Sequence, residues 1–159
     1  NLGAWVSKQT GREMTLWRGA CIVHETFSER KLIDLKVQHP RAEVIAHPEC
    51  EPTLLAHATF VGSTSQLLRR VVQSESTEFI VLTEAGILHK MKQEAPSKIL
   101  IPGPAEHACS CNECPFMKLN TVESVLAALE NEAPEIDVPP AIREAARVPL
   151  ERMLEWSSS

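Results

Sequence analysis

The stretch EFIVLTEAGILHKMKQEAPSKILIP, residues 78–102, decides the fold. It opens with an apolar, β-branched run at 78–84, continues with an amphipathic stretch at 85–95 and closes with a second apolar run at 98–102. A strand, a helix and a strand in this order predict a βαβ crossover, in which the two strands lie parallel.

The same alternation extends from this stretch in both directions. Further strands are predicted at 13–17, 42–47, 59–62 and 135–138. Further helices are predicted at 1–11, 29–38, 52–58, 63–74, 120–132 and from Pro139 to Trp156, with a kink at Pro149. Strands that alternate with helices predict an α/β fold, a three-layer αβα domain whose parallel sheet is covered on both faces.

Composition narrows the class of protein. The chain has 159 residues, of which 43% are hydrophobic and 23% charged, so it can bury a core. The net charge of −5 argues against a general nucleic-acid binder, and no apolar run reaches the roughly 20 residues that cross a bilayer. No secretory signal is visible. Because the chain opens on Asn1 rather than Met, and already within a helical pattern, we expect a fragment or a processed product.

The five cysteines are unevenly spread, and three of them lie within residues 109–114. An odd, clustered set favours metal binding or catalysis in an intracellular, cytoplasmic protein over a secreted disulfide framework. Cys109, Cys111 and Cys114 form C-x-C-x-x-C-P, a spacing and Cys-Pro end found in iron–sulfur loops. A zinc site completed by His107 and a set of structural or redox thiols remain as alternatives.

Four polar motifs follow predicted strands. They are Cys21 with His24, His47 with Glu49, the hydroxyls of Ser63 to Ser65, and Thr83 with Glu84. Each has a structural alternative: a buried inert thiol, a polar loop, a helix N-cap and a simple turn. Their shared position is more informative, because ligands of open α/β sheets bind at the carboxyl ends of the strands.

The motifs together resemble the quinolinate synthase family of NAD biosynthesis. The resemblance rests on WRGACIVHE (17–25), AHPEC (46–50), GSTSQL (62–67), TEAG (83–86), KM (90–91) and CNECPFMKLN (111–120), and continues to VPLERML (148–154). It implies one of three similar α/β domains around a central cavity that holds a [4Fe–4S] cluster with one open iron position. It also implies a transferase that condenses iminoaspartate with dihydroxyacetone phosphate to quinolinate, with loss of phosphate and water.

The resemblance implies a role for each matching residue. Cys21 and Cys114 are similar to two cluster ligands, while Cys109 and Cys111 resemble accessory thiols and Cys50 is left unassigned. The third ligand and the catalytic tyrosines belong to a first part of the family chain that this sequence, which contains no Tyr, lacks. The catalytic residues implied are Glu49 as general acid/base, His24 and His47. The substrate-binding residues implied are His47, Glu49, Ser63, Thr64 and Thr83, of which the hydroxyl residues hold a carboxylate or phosphate.

The resemblance also implies a domain division. Residues 1–20 would be the tail of the preceding, middle domain, 21–114 a complete α/β domain, and 115–159 a helical segment that packs back on the missing first domain. We therefore expect residues 1–159 alone to be inactive, and the full protein to be functionally coupled to L-aspartate oxidase.

Two other functions fit parts of the sequence. The first is a non-catalytic iron–sulfur or zinc module that carries electrons or senses redox state, and the second is a sugar- or nucleotide-binding α/β domain. The first does not need His47 with Glu49, and the second leaves Cys21 and Cys114 unexplained.

Overall fold

The structure, a computed structural model, describes residues 1–106 and 112–157. The chain divides into two compact units, Asn1–Lys118 and Leu119–Ser159. The first unit contains the sheet, and the second is helical.

From residue 29 onward, the first unit alternates helices and strands in the predicted order. Its helices are α1 (Leu2–Thr10), α2 (Ile22–Glu25), α3 (Glu29–Gln38), α4 (Pro52–Leu55), α5 (Thr64–Gln73) and α6 (Ile87–Glu94). Its strands are β1 (Glu43–Ala46), β2 (Phe60–Val61), β3 (Glu78–Leu82) and β4 (Ile99–Pro102).

All four strands are parallel and lie in the order β2-β1-β3-β4. Ile45 in the middle strand β1 pairs with Phe60 on one side and Val81 on the other. The chain therefore leaves β1 toward one edge of the sheet and returns past it to build the other edge. This is the topology of a doubly wound sheet.

Alternate residues of the central strands enter two separate cores. Val44 and Ile80 pack with Leu32 of α3 and Leu54 of α4 on one face. On the other face, a second core consists of Ile45, Phe79 and Val81 from the strands, Leu67, Val71 and Met91 from the helices, and Ala95 just after α6. Side chains that alternate between two buried faces explain the continuous apolar runs of the sequence. The three-layer α/β prediction is confirmed.

Two strand predictions are wrong. Residues 13–17 and 135–138, all of them described by the structure, lie outside its strands. Trp17 is 92% exposed. An apolar run becomes a strand only where a neighbouring strand accepts its hydrogen bonds, and the described residues give these two segments no such neighbour.

The second unit contains α7 (Val122–Asn131) and α8 (Pro140–Ser157) after a short 3-10 turn at Met117–Leu119. Thr121 caps α7 in a capping box with Ser124. Pro149 lies inside α8, where it removes one backbone donor. Among the described residues of the chain, no helix has both the length and the apolar character needed to cross a membrane.

Candidate functional site

The candidate site lies where β1 and β3 end side by side. His47 follows the last residue of β1, and Thr83 follows the last residue of β3. Ala46 and Leu82 pair across these strands, so the two following residues leave the sheet at the same place. The direction of chain progression reverses between β1 and β3, and open α/β sheets bind ligands at such a point.

His24 joins these two residues. Its Nε2 lies 3.2 Å from the Thr83 Oγ1 in a buried hydrogen bond, and its ring stacks on that of His47 with centroids 4.8 Å apart and planes inclined by 24°. His24 is only 6% exposed. The structure therefore brings together three residues that are separated by up to 59 positions in the sequence.

A backbone tether holds His24 over the sheet edge. Phe27, just after α2, forms an isolated antiparallel bridge with Ala105. The Ser28 N–H donates to the Pro104 carbonyl at 2.9 Å, and the Glu106 N–H donates to the Thr26 carbonyl at 2.8 Å. Since 104–106 follow β4, the segment that carries His24 is tied to the end of the sheet although 13–17 form no strand.

Both imidazoles are neutral near neutral pH. Burial, followed by the neighbouring His47, lowers the pKa of His24 from 6.5 to about 4, although the Glu49 and Glu84 carboxylates oppose the shift. Burial also lowers the pKa of His47, again against Glu49. The buried Nδ1 of His24 has no hydrogen-bond partner in the described residues, so it can accept a bond from a ligand.

A tight turn presents Glu49 next to the histidine pair. The His47 N–H donates to the Leu82 carbonyl at 3.0 Å, and the Glu49 N–H donates to His47 Nδ1 at 3.3 Å. The second bond makes Nδ1 of His47 an acceptor and leaves the proton of the neutral ring on Nε2. Glu49 is half-buried, and its charge influences both imidazoles.

Two of the described cysteines are suited to hold a metal, and one is not. Cys21 precedes α2 as its N-cap residue, and both Cys21 and Cys114 are free and half-buried. Cys50 is 1% exposed and donates to the Leu82 carbonyl at 3.3 Å, and burial raises the pKa of its thiol to about 12. Cys50 is therefore an inert core residue.

The described residues do not complete a metal site by themselves. Within 1–106 and 112–157, no three His, Cys, Asp or Glu side chains are grouped to hold an ion. Cys109, Cys111 and His107, which the sequence offered as further thiols and a further ligand, lie outside the described residues.

The chain matches the family described as quinolinate synthetase A protein over residues 1–155. It belongs to this family. Proteins named quinolinate synthase from Gloeothece citriformis, Trichodesmium erythraeum and Synechocystis sp. are 57%, 54% and 55% identical to it over 157 residues each. These alignments cover 99% of this chain and 49% of each relative, so the chain spans about half the length of the curated relatives it matches.

The hydroxyls of the family motif GSTS lie on the same sheet edge but serve a helix first. Val61 pairs with Ala46, so Ser63 and Thr64 follow β2 next to the end of β1. The Ser63 hydroxyl accepts the Gln66 N–H at 3.4 Å, while the Gln66 Oε1 accepts the Ser63 N–H at 2.7 Å. The N-capping interpretation of Ser63 is thereby confirmed, and Thr64 is exposed at the first position of α5.

Two residues of the family motifs, Glu84 and Asn112, form hydrogen bonds between loops that the sequence did not predict. Glu84 of TEAG, which the sequence offered only as a neighbour of the cleft, accepts the N–H groups of Gly86 and Cys114. Asn112 of the Cys-rich motif is buried with φ 53, and its side-chain amide donates to the Gly103 carbonyl. The only sign of this role in the sequence is the residue type, because Asn adopts positive φ more readily than most other residues.

Proposed function

We propose that this chain forms part of a quinolinate synthase that condenses iminoaspartate with dihydroxyacetone phosphate to quinolinate, with loss of phosphate and water. The observation that carries the proposal is the grouping of His24, His47 and Glu49 at the switch point of the sheet, in a member of the quinolinate synthetase A family. A module that only transfers electrons has no use for a carboxylate beside two neutral imidazoles.

The donor set fits a [4Fe–4S] cluster that is shared with another part of a longer protein. Cys21 and Cys114 would hold it, because both are free, half-buried thiols, and thiolates are the usual ligands of such clusters. Two thiols do not close a site, so at least one more ligand must come from outside the described residues. When bound, a cluster with one open iron position supplies a Lewis acid that polarises a substrate hydroxyl.

Glu49 is the general acid/base in this proposal. The His47–Glu49 turn fixes its backbone, and the half-buried carboxylate can accept and return a proton during tautomerisation and dehydration. Nε2 of His47 carries the proton of the neutral ring and can donate to a substrate oxygen. The free Nδ1 of His24 can accept from a substrate donor.

In this proposal, hydroxyl side chains and the N-terminus of α5 bind the anionic groups of the substrates. The N-terminus of a helix favours a carboxylate or phosphate because its first N–H groups have no intrahelical partner. Thr64 contributes an exposed hydroxyl there, whereas the Ser63 hydroxyl already accepts a backbone bond. Thr83 acts mainly by holding His24, and its remaining hydrogen-bonding capacity can serve the same anion.

The proposal extends to the whole protein. Because the family resemblance assigns the third cluster ligand and the catalytic tyrosines to another part of a longer protein, residues 1–159 alone form no quinolinate. In that longer protein, residues 1–20 end the preceding, middle domain and residues 21–114 form a complete α/β domain. Residues 115–159 pack against the first domain of the family chain. The full protein works in the cytoplasm in functional coupling with L-aspartate oxidase.

The experiment uses a hybrid protein, defined as the Gloeothece citriformis relative with its matching region replaced by this chain. We expect Glu49→Gln to leave iron and sulfide content unchanged while lowering turnover about 10²- to 10⁴-fold, the usual contribution of a general acid/base. Glu51→Gln, two residues along and exposed, is the matched control and keeps its activity. Full activity in Glu49→Gln, or no quinolinate from the unsubstituted hybrid, contradicts the proposal.

A further inference from the structure

The carboxylate of Glu84 bridges two loops at the sheet edge. Its Oε2 accepts the Gly86 N–H at 2.7 Å, and its Oε1 accepts the Cys114 N–H at 3.3 Å. Glu84 comes directly after Thr83, so the bridge starts at the end of β3, beside the histidine pair. Both carboxylate oxygens are thus used by backbone donors.

The two loops are also joined next to this bridge. The Ala85 N–H donates to the Asn112 carbonyl at 3.0 Å, and the buried Asn112 amide donates to the Gly103 carbonyl. The Asn112 anchors do not involve the Glu84 side chain. The segment at Asn112 therefore stays attached when the Glu84 side chain is shortened, and only the two bonds of its carboxylate, to Gly86 and to Cys114, are lost.

The bridge needs both a carboxylate and a glycine. A carboxylate offers an acceptor to each N–H, whereas the amide of Gln has only one acceptor oxygen. A Cβ at position 86 would lie 2.7 Å from Oε2 of Glu84, closer than side chains normally approach, so Gly86 leaves the room that the carboxylate occupies. With φ −58, an Ala at this position is free of backbone strain and affects the carboxylate alone.

We propose that Glu84 is a positioning residue for Cys114: its carboxylate fixes the backbone N–H of this cysteine and thereby the direction of the thiol toward the cluster. The inference rests on the proposed function, because it takes Cys114 as a cluster ligand. Hydrogen bonds of this kind, one shell behind a metal ligand, orient the ligand and raise metal affinity about 10- to 100-fold. Glu84 itself contacts no substrate in this account.

The first test measures amide hydrogen–deuterium exchange in metal-free residues 1–159 by mass spectrometry of the peptides that contain Cys114 and Cys21. Loss of a hydrogen bond to a charged group predicts that Glu84→Ala speeds exchange at Cys114 about tenfold. Gly86→Ala and Glu84→Gln speed it less. The Cys21 peptide is unaffected, as is the control Glu75→Ala, an exposed glutamate before β3. Unchanged exchange at Cys114 in Glu84→Ala overturns the inference.

The second test measures iron and acid-labile sulfide in the anaerobic hybrid protein. We expect Glu84→Ala to bind the cluster about 10- to 100-fold more weakly, Glu84→Gln to be intermediate and Glu75→Ala to equal the unsubstituted hybrid. Equal cluster retention in Glu84→Ala overturns the role of Glu84 while the proposed function stands. An unsubstituted hybrid without iron and sulfide overturns the proposed function, and the positioning of a cluster ligand with it.

Discussion

At the scale of single residues, burial decides the chemistry of the site. His24 is buried and His47 is half-buried, so protonation of either ring carries a desolvation cost, and His47 further lowers the pKa of His24. Both stay neutral where an exposed imidazole would already titrate. Neutral rings can accept and donate hydrogen bonds at the same time, which a charged pair cannot.

The lowered pKa of His24 predicts a dependence of stability on pH. The unfolded chain takes up this proton near pH 6.5 and the folded chain only near 4. The folded state therefore keeps its full stability above pH 6.5 and loses up to about 3 kcal/mol as the pH falls to 4. Urea unfolding of residues 1–159 between pH 4 and 7.5 measures this loss.

The matched variant is His24→Gln, whose side chain can still reach the Thr83 hydroxyl but does not titrate. We expect its free energy of unfolding to fall less steeply below pH 6.5 than that of the unsubstituted chain. Equal slopes in the two proteins would show that His24 is not buried as a neutral ring.

The individual site residues were more accessible to sequence reasoning than their contacts. His24, His47 and Glu49 were predicted from their motifs as site residues, and the structure places the two imidazole rings in contact. The contact itself could not be predicted, because it depends on the bridge between Phe27 and Ala105. These two residues are 78 positions apart in the sequence, and only the fold brings them together. Glu84 was underestimated for the same reason, since its partner Cys114 is 30 positions away.

At the scale of elements, the hydrophobic pattern predicted two kinds of element correctly. These are helices, which form their own backbone hydrogen bonds, and strands that lie inside the sheet. The helix prediction at 29–38 coincides with α3, and the strand predictions at 42–47 and 78–84 contain β1 and β3. The prediction at 13–17 failed because a strand depends on a neighbour that the sequence does not reveal. The four-residue helix α2 was missed because one turn is too short to show a helical period.

The capping box of α5 gives a prediction for an element. Ser63→Ala removes the acceptor of the Gln66 N–H and should lower the free energy of unfolding by about 1 kcal/mol. Ser65→Ala, inside the same helix and exposed, is the control and should be nearly neutral. Urea unfolding of the two variants compares them directly. Equal stability in both would mean that the cap contributes nothing.

At the scale of the whole molecule, the sheet unit brings His24, His47 and Thr83 to one edge, but its described residues do not complete a metal site. The described residues offer two suitable thiols, and the matched relatives are about twice as long as this chain. Residues of the helical unit expose large apolar side chains, among them Leu129 and Trp156. The fold class could be predicted because the alternation of strands and helices is visible in short stretches of sequence. The ligands of a shared metal site come from distant chain segments, and no short stretch shows that they meet.

Iron and acid-labile sulfide in the hybrid protein, purified without oxygen, decide whether this chain holds part of an iron–sulfur cluster. The account predicts about four of each per chain, as in a cubane cluster, and loss of both in Cys21→Ser and Cys114→Ser. Cys50→Ser, whose hydroxyl can replace the buried thiol as donor to the Leu82 carbonyl, should retain them. Zinc without sulfide, or a cluster that survives both ligand substitutions, would contradict the account.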